Sequence, residues 1–336
     1  MSKMTFHLRG NGGNLVGSEW IAAEGEIVPE TATDLENFVK SFGHSENPGG
    51  WCVRLNSPGG DLAGGIRLGE MIRKLKLDTE IGATEPDPYG HWKKGAGICA
   101  SACAFAFLGG LSRDASGGEL GVHQFYNAIS LKEPSSKVFD ALDVSRQQFI
   151  LALLIEYAFR MGVDPRFVSA AASTSPFEMK FLDDQMLDDM NVRWAPKEFE
   201  PWSIEPSGGG VIAITRSKDR TRTAKFFYFS DGVPRLTIED THSNVDVEWL
   251  NDAVANIQSV IAFDPSFSKD TLSTKYSEGI LTLEFTLRGI DGRSITASKW
   301  PGVGVDGPRY MCGAFTYVVP KENAEIALSI ASKNCV

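Results

Sequence analysis

The chain has 336 residues, of which 42% are hydrophobic and 23% charged, and its formal net charge is −10. This length suits two domains, and the composition is that of a folded globular protein rather than a disordered one. The acidic balance argues against nucleic acid or an anionic membrane as the main partner.

The first residues show no signal-peptide pattern, because residues 1–9 contain no apolar stretch of the kind that a signal peptide requires. The longest apolar run, residues 98–111, is interrupted by Ser101 and is too short to cross a bilayer. We therefore expect a cytoplasmic protein without a membrane span, or a periplasmic one if a leader has been trimmed.

The five cysteines contain no CxxC pair, so they indicate neither a disulfide framework nor a zinc site. Cys99 and Cys103 are expected to be small buried residues. Cys312 and Cys335 are expected to be reduced in the cytoplasm and to be able to bridge in an oxidising compartment.

The first 200 residues alternate between strand and helix patterns. Strands are predicted at 20–27 and 51–55 and helices at about 33–42 and 66–75, followed by an apolar helix after Ser101 and a long helix over about 144–161. This alternation predicts an α/β layered domain. The Pro-, Gly- and charge-rich segment 85–94 is predicted to be a loop near the mouth of a site.

Residues 201–210 are rich in Pro, Ser and Gly and are predicted to be a linker. Residues 211–336 predict a β-rich accessory or binding domain of no recognised family. Its strands are expected at 211–215, 226–229, 236–239, 280–287, 295–299 and 315–319, and its helices near 249–258 and 323–331. The basic run from Arg216 to Lys225 is predicted to be a solvated hairpin face rather than an anion site.

Three segments of the first domain carry residues suited to chemistry. Residues 56–60, Asn-Ser-Pro-Gly-Gly, end a strand; Ser101 opens an apolar helix; His123 follows a short strand-like segment. Taken singly, they are typical of a tight turn, a helix N-cap and a structural histidine.

Taken together and in this order, the three segments resemble the Clp protease family, within the Clp–crotonase fold. The resemblance covers about residues 18–196, and the cysteine on either side of Ser101 is similar to a branch described as periplasmic Clp-like proteins. It implies a layered β-α spiral domain at residues 1–200, followed by the β-rich domain.

The resemblance also implies roles for individual residues. Ser101 would be the nucleophile of a serine peptidase and His123 its general base, with the backbone amides of Gly60 and Ala102 as the oxyanion hole. Residues implied to bind substrate are Gly59, Asp61 and Phe125. The implied partners are a peptide or protein substrate and further copies of the chain. Neither metal nor organic cofactor is implied, and the unfoldase partner is unspecified.

One position departs from the family pattern, because Met179 stands where the catalytic aspartate is expected. Glu178, Asp183 or Asp184 would have to replace it, and without an acid the chain would be a slow dyad enzyme or an inactive scaffold. Other readings are a crotonase-like acyl-CoA enzyme, His91 or a nearby lysine as a substitute base, and Cys99 or Cys103 as the nucleophile.

Overall fold

The computed structural model describes residues 2–13, 17–43, 51–125, 141–241, 247–307 and 315–336, with side chains from residue 145 in the helix that begins at 141. The chain divides into two compact units, Met1–Ala195 and Pro196–Val336. The sequence analysis placed the end of the first domain near residue 200, a few residues later.

The first unit is a mixed α/β structure. Its strands are β1 (Thr5–Gly10), β2 (Glu19–Glu24), β3 (Cys52–Asn56), β4 (Asp78–Ile81), β5 (Ala83–Pro86), β6 (Trp92–Gly95), β7 (Gly97–Ala100), β8 (Arg113–Asp114), β9 (Gly118–Val122) and β10 (Lys180–Phe181). Its helices are α1 (Thr31–Lys40), α2 (Leu62–Lys74), α3 (Ala102–Phe107), α4 (Ala141–Arg160), α5 (Arg166–Ala172) and α6 (Asp184–Asp189).

Two sheets carry this unit. The larger has the order β1-β2-β3-β4-β8, in which β1 is antiparallel to β2 and the other neighbours are parallel. The smaller has the order β10-β9-β7, with β7 and β9 parallel. A bridge between Ser57 and Cys99 joins the end of β3 to β7.

Helix α3 is the most deeply buried element near these strands, since all six of its residues are buried. Helix α2 approaches it closely at Gly65, where a Cβ atom would lie 2.3 Å from the carbonyl oxygen of Ala102. The hydroxyl of Tyr157 donates to the carbonyl of Phe105 at 2.7 Å. The helix is therefore held on two sides, and little freedom remains for the residue that precedes it.

The guanidinium groups of the partly buried Arg73 and the buried Arg113 donate to the carbonyls at the end of α3. Arg73 donates to Gly109 at 2.8 Å, and Arg113 donates to Gly110 at 3.2 Å. Arg113 also donates to the carbonyls of Met161, Asn191 and Val192. Burial and the neighbouring Arg73 lower the pKa of Arg113 to about 9. This side chain ties the end of α3 to the last segment of the unit.

The segment predicted to be a loop at 85–94 is a hairpin in which β5 pairs with β6. Beneath it lies the buried Arg54, which donates to the carbonyl of Ala83 at 3.0 Å and pairs with Glu80 at 3.1 Å. Lys94 contacts the other oxygen of Glu80 at 2.8 Å. The loop prediction was wrong because this ion pair and the ladder hold a polar segment in extended form.

The second unit is rich in β-structure. Its strands are β11 (Ser203–Ser207), β12 (Gly210–Arg216), β13 (Arg222–Tyr228), β14 (Pro234–Thr241), β15 (Ser259–Ala262), β16 (Ser266–Ser268), β17 (Leu272–Ser277), β18 (Ile280–Thr286), β19 (Gly302–Asp306) and β20 (Tyr317–Val318). Its helices are α7 (Val247–Ala255), a 3₁₀ turn at Lys269–Thr271, α8 (Gly292–Ala297) and α9 (Ala324–Lys333).

The strands of this unit form a six-stranded antiparallel sheet, β11-β12-β13-β14-β18-β17, and a four-stranded sheet, β16-β15-β19-β20. The linker prediction for residues 201–210 was wrong, because Ser203–Ser207 pairs with Gly210–Ile214 as an edge hairpin. Gly208, at φ +56°, makes the turn, and an edge strand tolerates Pro206 because its partner-free side needs no donor.

Two further sequence predictions for this unit had opposite outcomes. The strand expected at 295–299 is instead α8, whose first turn is closed by Asp291 accepting from the amide of Ser294 at 2.9 Å.

The basic run is a hairpin face, as predicted, because each cation has a carboxylate partner. The pairs are Arg216–Glu205, Lys218–Glu198, Arg220–Glu200, Arg222–Asp240 and Lys225–Glu239.

Within the ranges described above, none of the helices combines the length and the apolar character needed to cross a membrane.

Candidate active site

The three segments that carry the candidate site residues of the first unit each follow the end of a parallel strand. Residues 57–60 follow β3, Ser101 follows β7, and His123 follows β9. Ala100 is opposite Gly121 in the β7–β9 ladder, and Ser57 is opposite Cys99. Because parallel strands end at one edge of a sheet, the segments after them meet there.

A cavity of about 640 Å³ opens at this edge. Both Ser101 and His123 line it, together with residues of the glycine segment. Its polar lining residues are Glu26, Asp61 and Gln124, and its apolar ones are Pro58, Leu62, Phe105, Phe125, Leu151, Leu154, Val168, Ala171 and Ala172, together with Gly59 and Gly60. The predicted nucleophile, base and substrate-binding residues therefore share one cavity.

Ser101 occupies the N-cap position of α3 without acting as a cap. Its φ is +56° and ψ −121°, and its side chain makes no capping hydrogen bond. Its amide donates to the carbonyl of Gly121 at 2.9 Å, and its carbonyl accepts from Ala104 at 3.0 Å. A serine held in a strained backbone conformation, with its hydroxyl unused by the helix, is typical of functional turns.

The glycine segment lies directly against this turn. A Cβ atom on Gly59 would lie 2.7 Å from the Ser101 Cβ and 3.0 Å from the Ala102 amide nitrogen. Gly60 has φ +136°, and a Cβ there would lie 2.2 Å from the carbonyl oxygen of Ile27. Both positions therefore require glycine, for close approach as well as for their dihedrals.

The segment is held in place by Ile27, whose amide donates to Gly59 at 2.8 Å and whose carbonyl accepts from Asp61 at 2.9 Å. Among the described residues, the amides of Gly60 and Ala102 donate no hydrogen bond outside the regular helix and strand ladders. An amide in the first turn of a helix has no intrahelical partner. These two N–H groups can therefore receive an anionic oxygen.

His123 is partly buried, and desolvation lowers its pKa below the ordinary value of 6.5. The ring is therefore neutral at pH 7, which is the state that a general base requires. The next residue fixes the local backbone, because Gln124 donates from its amide to Thr174 at 3.0 Å and from its side chain to Ala172 at 2.6 Å. Gln124 was not predicted as a site residue, although it follows His123 directly.

The acid expected beside His123 is not assigned by the structure. Asp183 caps α6 by accepting from the amide of Met186 at 2.8 Å, and Asp184 pairs with Arg193 at 2.7 Å. Glu178 is exposed. Two of the three candidate carboxylates are thus engaged in other interactions.

The residues predicted to bind substrate differ in what they offer. Asp61 caps α2 by accepting from the amide of Gly64 at 2.6 Å, so its carboxylate is partly used. Phe125 packs against the core of the unit. Glu26, which the sequence analysis missed, also lines the cavity. It stands at the end of the predicted strand 20–27, and that position was the available signal.

The structure corrects the prediction for two cysteines. Cys99 and Cys103 form a disulfide, with their Cα atoms 5.1 Å apart. This bond removes either sulfur as a nucleophile. The sequence did not show the pairing because the strand-to-helix turn, rather than the spacing of the cysteines, brings them together. Cys52 and Cys335 are free, and Cys312 lies outside the described residues.

His91, the alternative base, is exposed at the end of the β5–β6 hairpin and is not among the described residues that line the cavity. Within the described ranges, no group of three His, Cys, Asp or Glu side chains is arranged to hold a metal ion.

No family model matches this chain, and no curated protein does. Among solved structures, the chain is similar to a ClpP1 mutant from Listeria monocytogenes, at 18% sequence identity and a TM-score of 0.32. The match covers 51% of this chain and 88% of that one.

Proposed function

We propose that the first unit is a serine hydrolase of the Clp-protease type that cleaves peptide bonds. The observation that carries the proposal is the shared cavity, which Ser101, His123 and Gly60 all line although they come from three segments that are distant in the sequence. The side chain of Ser101 makes no capping hydrogen bond to its helix, so its hydroxyl is available to act as a nucleophile.

In the proposed reaction, Ser101 Oγ attacks the carbonyl carbon of the substrate while His123 takes the hydroxyl proton. The amides of Gly60 and Ala102 donate to the oxyanion that forms, and each such donor typically lowers the barrier by about 3–4 kcal/mol. His123 then gives its proton to the leaving amine, and an acyl-serine remains.

Hydrolysis of the acyl-serine completes the cycle. Water loses a proton to His123 and attacks the ester carbon, and the proton returns to Ser101 Oγ as the carboxylic acid leaves. The neutral state of His123 suits both steps, because the ring must accept a proton each time. The proposal assigns two side chains and two amides, and no acid.

The apolar side of the cavity supports a peptide rather than a small polar substrate. Leu151, Leu154 and Val168 offer a surface for an apolar side chain next to the scissile bond. Glu26 adds a carboxylate to the lining of the same cavity.

A fluorophosphonate probe tests the proposal, because it phosphonylates only an activated serine. In wild type, Ser101 Oγ should attack the phosphorus of one probe molecule and displace fluoride, which leaves a phosphonylated serine, whereas Ser101→Ala should not react. Ser169→Ala, which changes an exposed serine on α5, is the matched control and should react like wild type.

Thermal unfolding of the same variants separates the two roles of Ser101. Since no capping bond is lost, Ser101→Ala should cost under about 0.5 kcal/mol. A loss of about 1 kcal/mol, the usual cost of removing an N-cap, would contradict this assignment if wild type also fails to react. The chain would then be an inactive scaffold or an acyl-CoA-binding relative.

A further inference from the structure

A covalent bond brackets the candidate nucleophile. Cys99 lies in β7, two residues before Ser101, and Cys103 lies in α3, two residues after it; the disulfide joins them. Both cysteines are fully buried, with 0% of their surface exposed. The bond therefore closes a loop of which Ser101 is the central residue.

The turn inside this loop needs a restraint. A residue other than glycine at φ +56° costs about 1–3 kcal/mol and persists only where its surroundings hold it. Hydrogen bonds hold the two arms separately: Ala100 donates to Ser57 at 3.0 Å, and Ala104 donates to Ser101 at 3.0 Å. The disulfide is the link that ties the strand arm to the helix arm directly.

We propose that the Cys99–Cys103 disulfide is a positioning clamp, which holds Ser101 Oγ and the Ala102 amide toward the cavity. The proposal rests on the proposed function for its catalytic consequence, but its structural part does not. Neither cysteine touches the reacting atoms in the proposed mechanism, so both act through the turn.

Formation of the bond requires a partner. Two thiols lose two electrons and two protons to a disulfide donor, which becomes a dithiol, so the chain has to meet such a donor while it folds. Once buried, the sulfurs are out of reach of an attacking thiolate unless the turn opens. The bond is therefore a permanent clamp rather than a rapid redox switch.

The test begins with the bond itself. A peptide that contains residues 99–103, released from the unreduced protein, should be lighter by two hydrogens than after reduction. The double variant Cys99→Ala/Cys103→Ala then removes the clamp with small side chains that fit the buried sites. Cys52→Ala is the control, since Cys52 is a free cysteine whose pKa is raised well above normal by burial.

Hydrogen exchange of residues 97–108 measures the turn without any need for activity. The double variant should exchange faster in this segment, while its helix α2 should exchange as in wild type. The Cys52→Ala variant should exchange as wild type does in both segments. Equal exchange in this segment, or a wild-type peptide without the bond, would overturn the clamp.

Saturation kinetics of the fluorophosphonate probe measure the catalytic consequence. A displacement of about 1 Å costs on the order of 10²-fold in rate, so the double variant should react about 10²-fold more slowly at saturation with unchanged probe affinity. A variant that reacts at the wild-type rate would refute the clamp. If the disulfide only stabilises the fold, its loss should lower the fraction of protein that reacts and leave the rate of the reacting fraction unchanged. That result would also refute the clamp. If wild type fails to react while exchange rises, the proposed function fails and the clamp stands.

Discussion

Replacement of Gly59 by alanine is the perturbation for which the structure predicts the largest local effect. Gly59 has φ +106°, and an added Cβ would lie 2.7 Å from the Ala100 carbonyl oxygen and 2.7 Å from the Ser101 Cβ. These contacts are with backbone and with a short side chain, so neither can move away cheaply. The clash falls on the turn that carries the candidate nucleophile.

The cost has two parts. The unusual dihedral costs about 1–3 kcal/mol for a residue with a Cβ. Overpacking of a tightly packed site costs about a further 1–3 kcal/mol. Gly59→Ala should therefore lower the free energy of unfolding of the first unit by about 2–6 kcal/mol. It should also reduce the rate of probe attachment to Ser101, because relief of the clash displaces Ser101 and the Ala102 amide.

Gly162→Ala is the matched control. Gly162 has φ +73°, but a Cβ there would meet nothing within 4 Å, so only the dihedral cost of about 1–2 kcal/mol applies. Urea unfolding of each variant, together with the probe reaction, gives the comparison. If Gly59→Ala is no less stable than Gly162→Ala and reacts as fast as wild type, the close approach of the glycine segment to the turn is refuted.

Two further predictions concern charge. The rate of probe attachment should rise with pH through a midpoint below 6.5, because burial lowers the pKa of His123 and only the neutral ring is a base; a midpoint above 6.5 would contradict this environment. Because the pKa of His123 is lower in the folded chain than in the unfolded chain, a fall in pH below 6.5 protonates the unfolded chain first and favours unfolding. Wild type should therefore lose more stability than His123→Gln as the pH falls below 6.5. Arg113→Met should lower the free energy of unfolding by about 3 kcal/mol or more, because the carbonyls of Val192 and Asn191 lose the hydrogen bonds that the buried guanidinium group donates to them. Arg160→Met, at an exposed ion pair with Glu70, should cost much less, and equal losses would refute the role given to Arg113.

Much of the first unit could be predicted because its signals are local. The strand before residue 56, the apolar helix after Ser101 and the long helix that ends before Gly162 all follow from hydrophobic periodicity and turn residues. Periodicity failed where tertiary contacts decide. The hairpin over 85–94 depends on the buried Arg54, and the edge strand 203–207 depends on the partner strand that follows it.

The candidate site divides in the same way. Taken singly, the glycine segment, Ser101 and His123 predicted only a turn, a helix cap and a structural histidine; their order along the chain made them a candidate set through its resemblance to the Clp protease family. That they share one cavity is a property of the parallel strand ends, which no spacing along the chain encodes.

The sequence by itself determined the alternation of strand and helix and the tight turn at glycines 59 and 60, because these depend on neighbouring residues. It predicted Ser101 and His123 as nucleophile and base only through the resemblance of their order to the Clp protease family. Only the tertiary structure decided that Ser101 does not cap its helix, that Glu26 reaches the cavity and that Cys99 is bonded to Cys103. Each of these depends on distances across a turn or between strands, and such distances are set by packing rather than by local propensity.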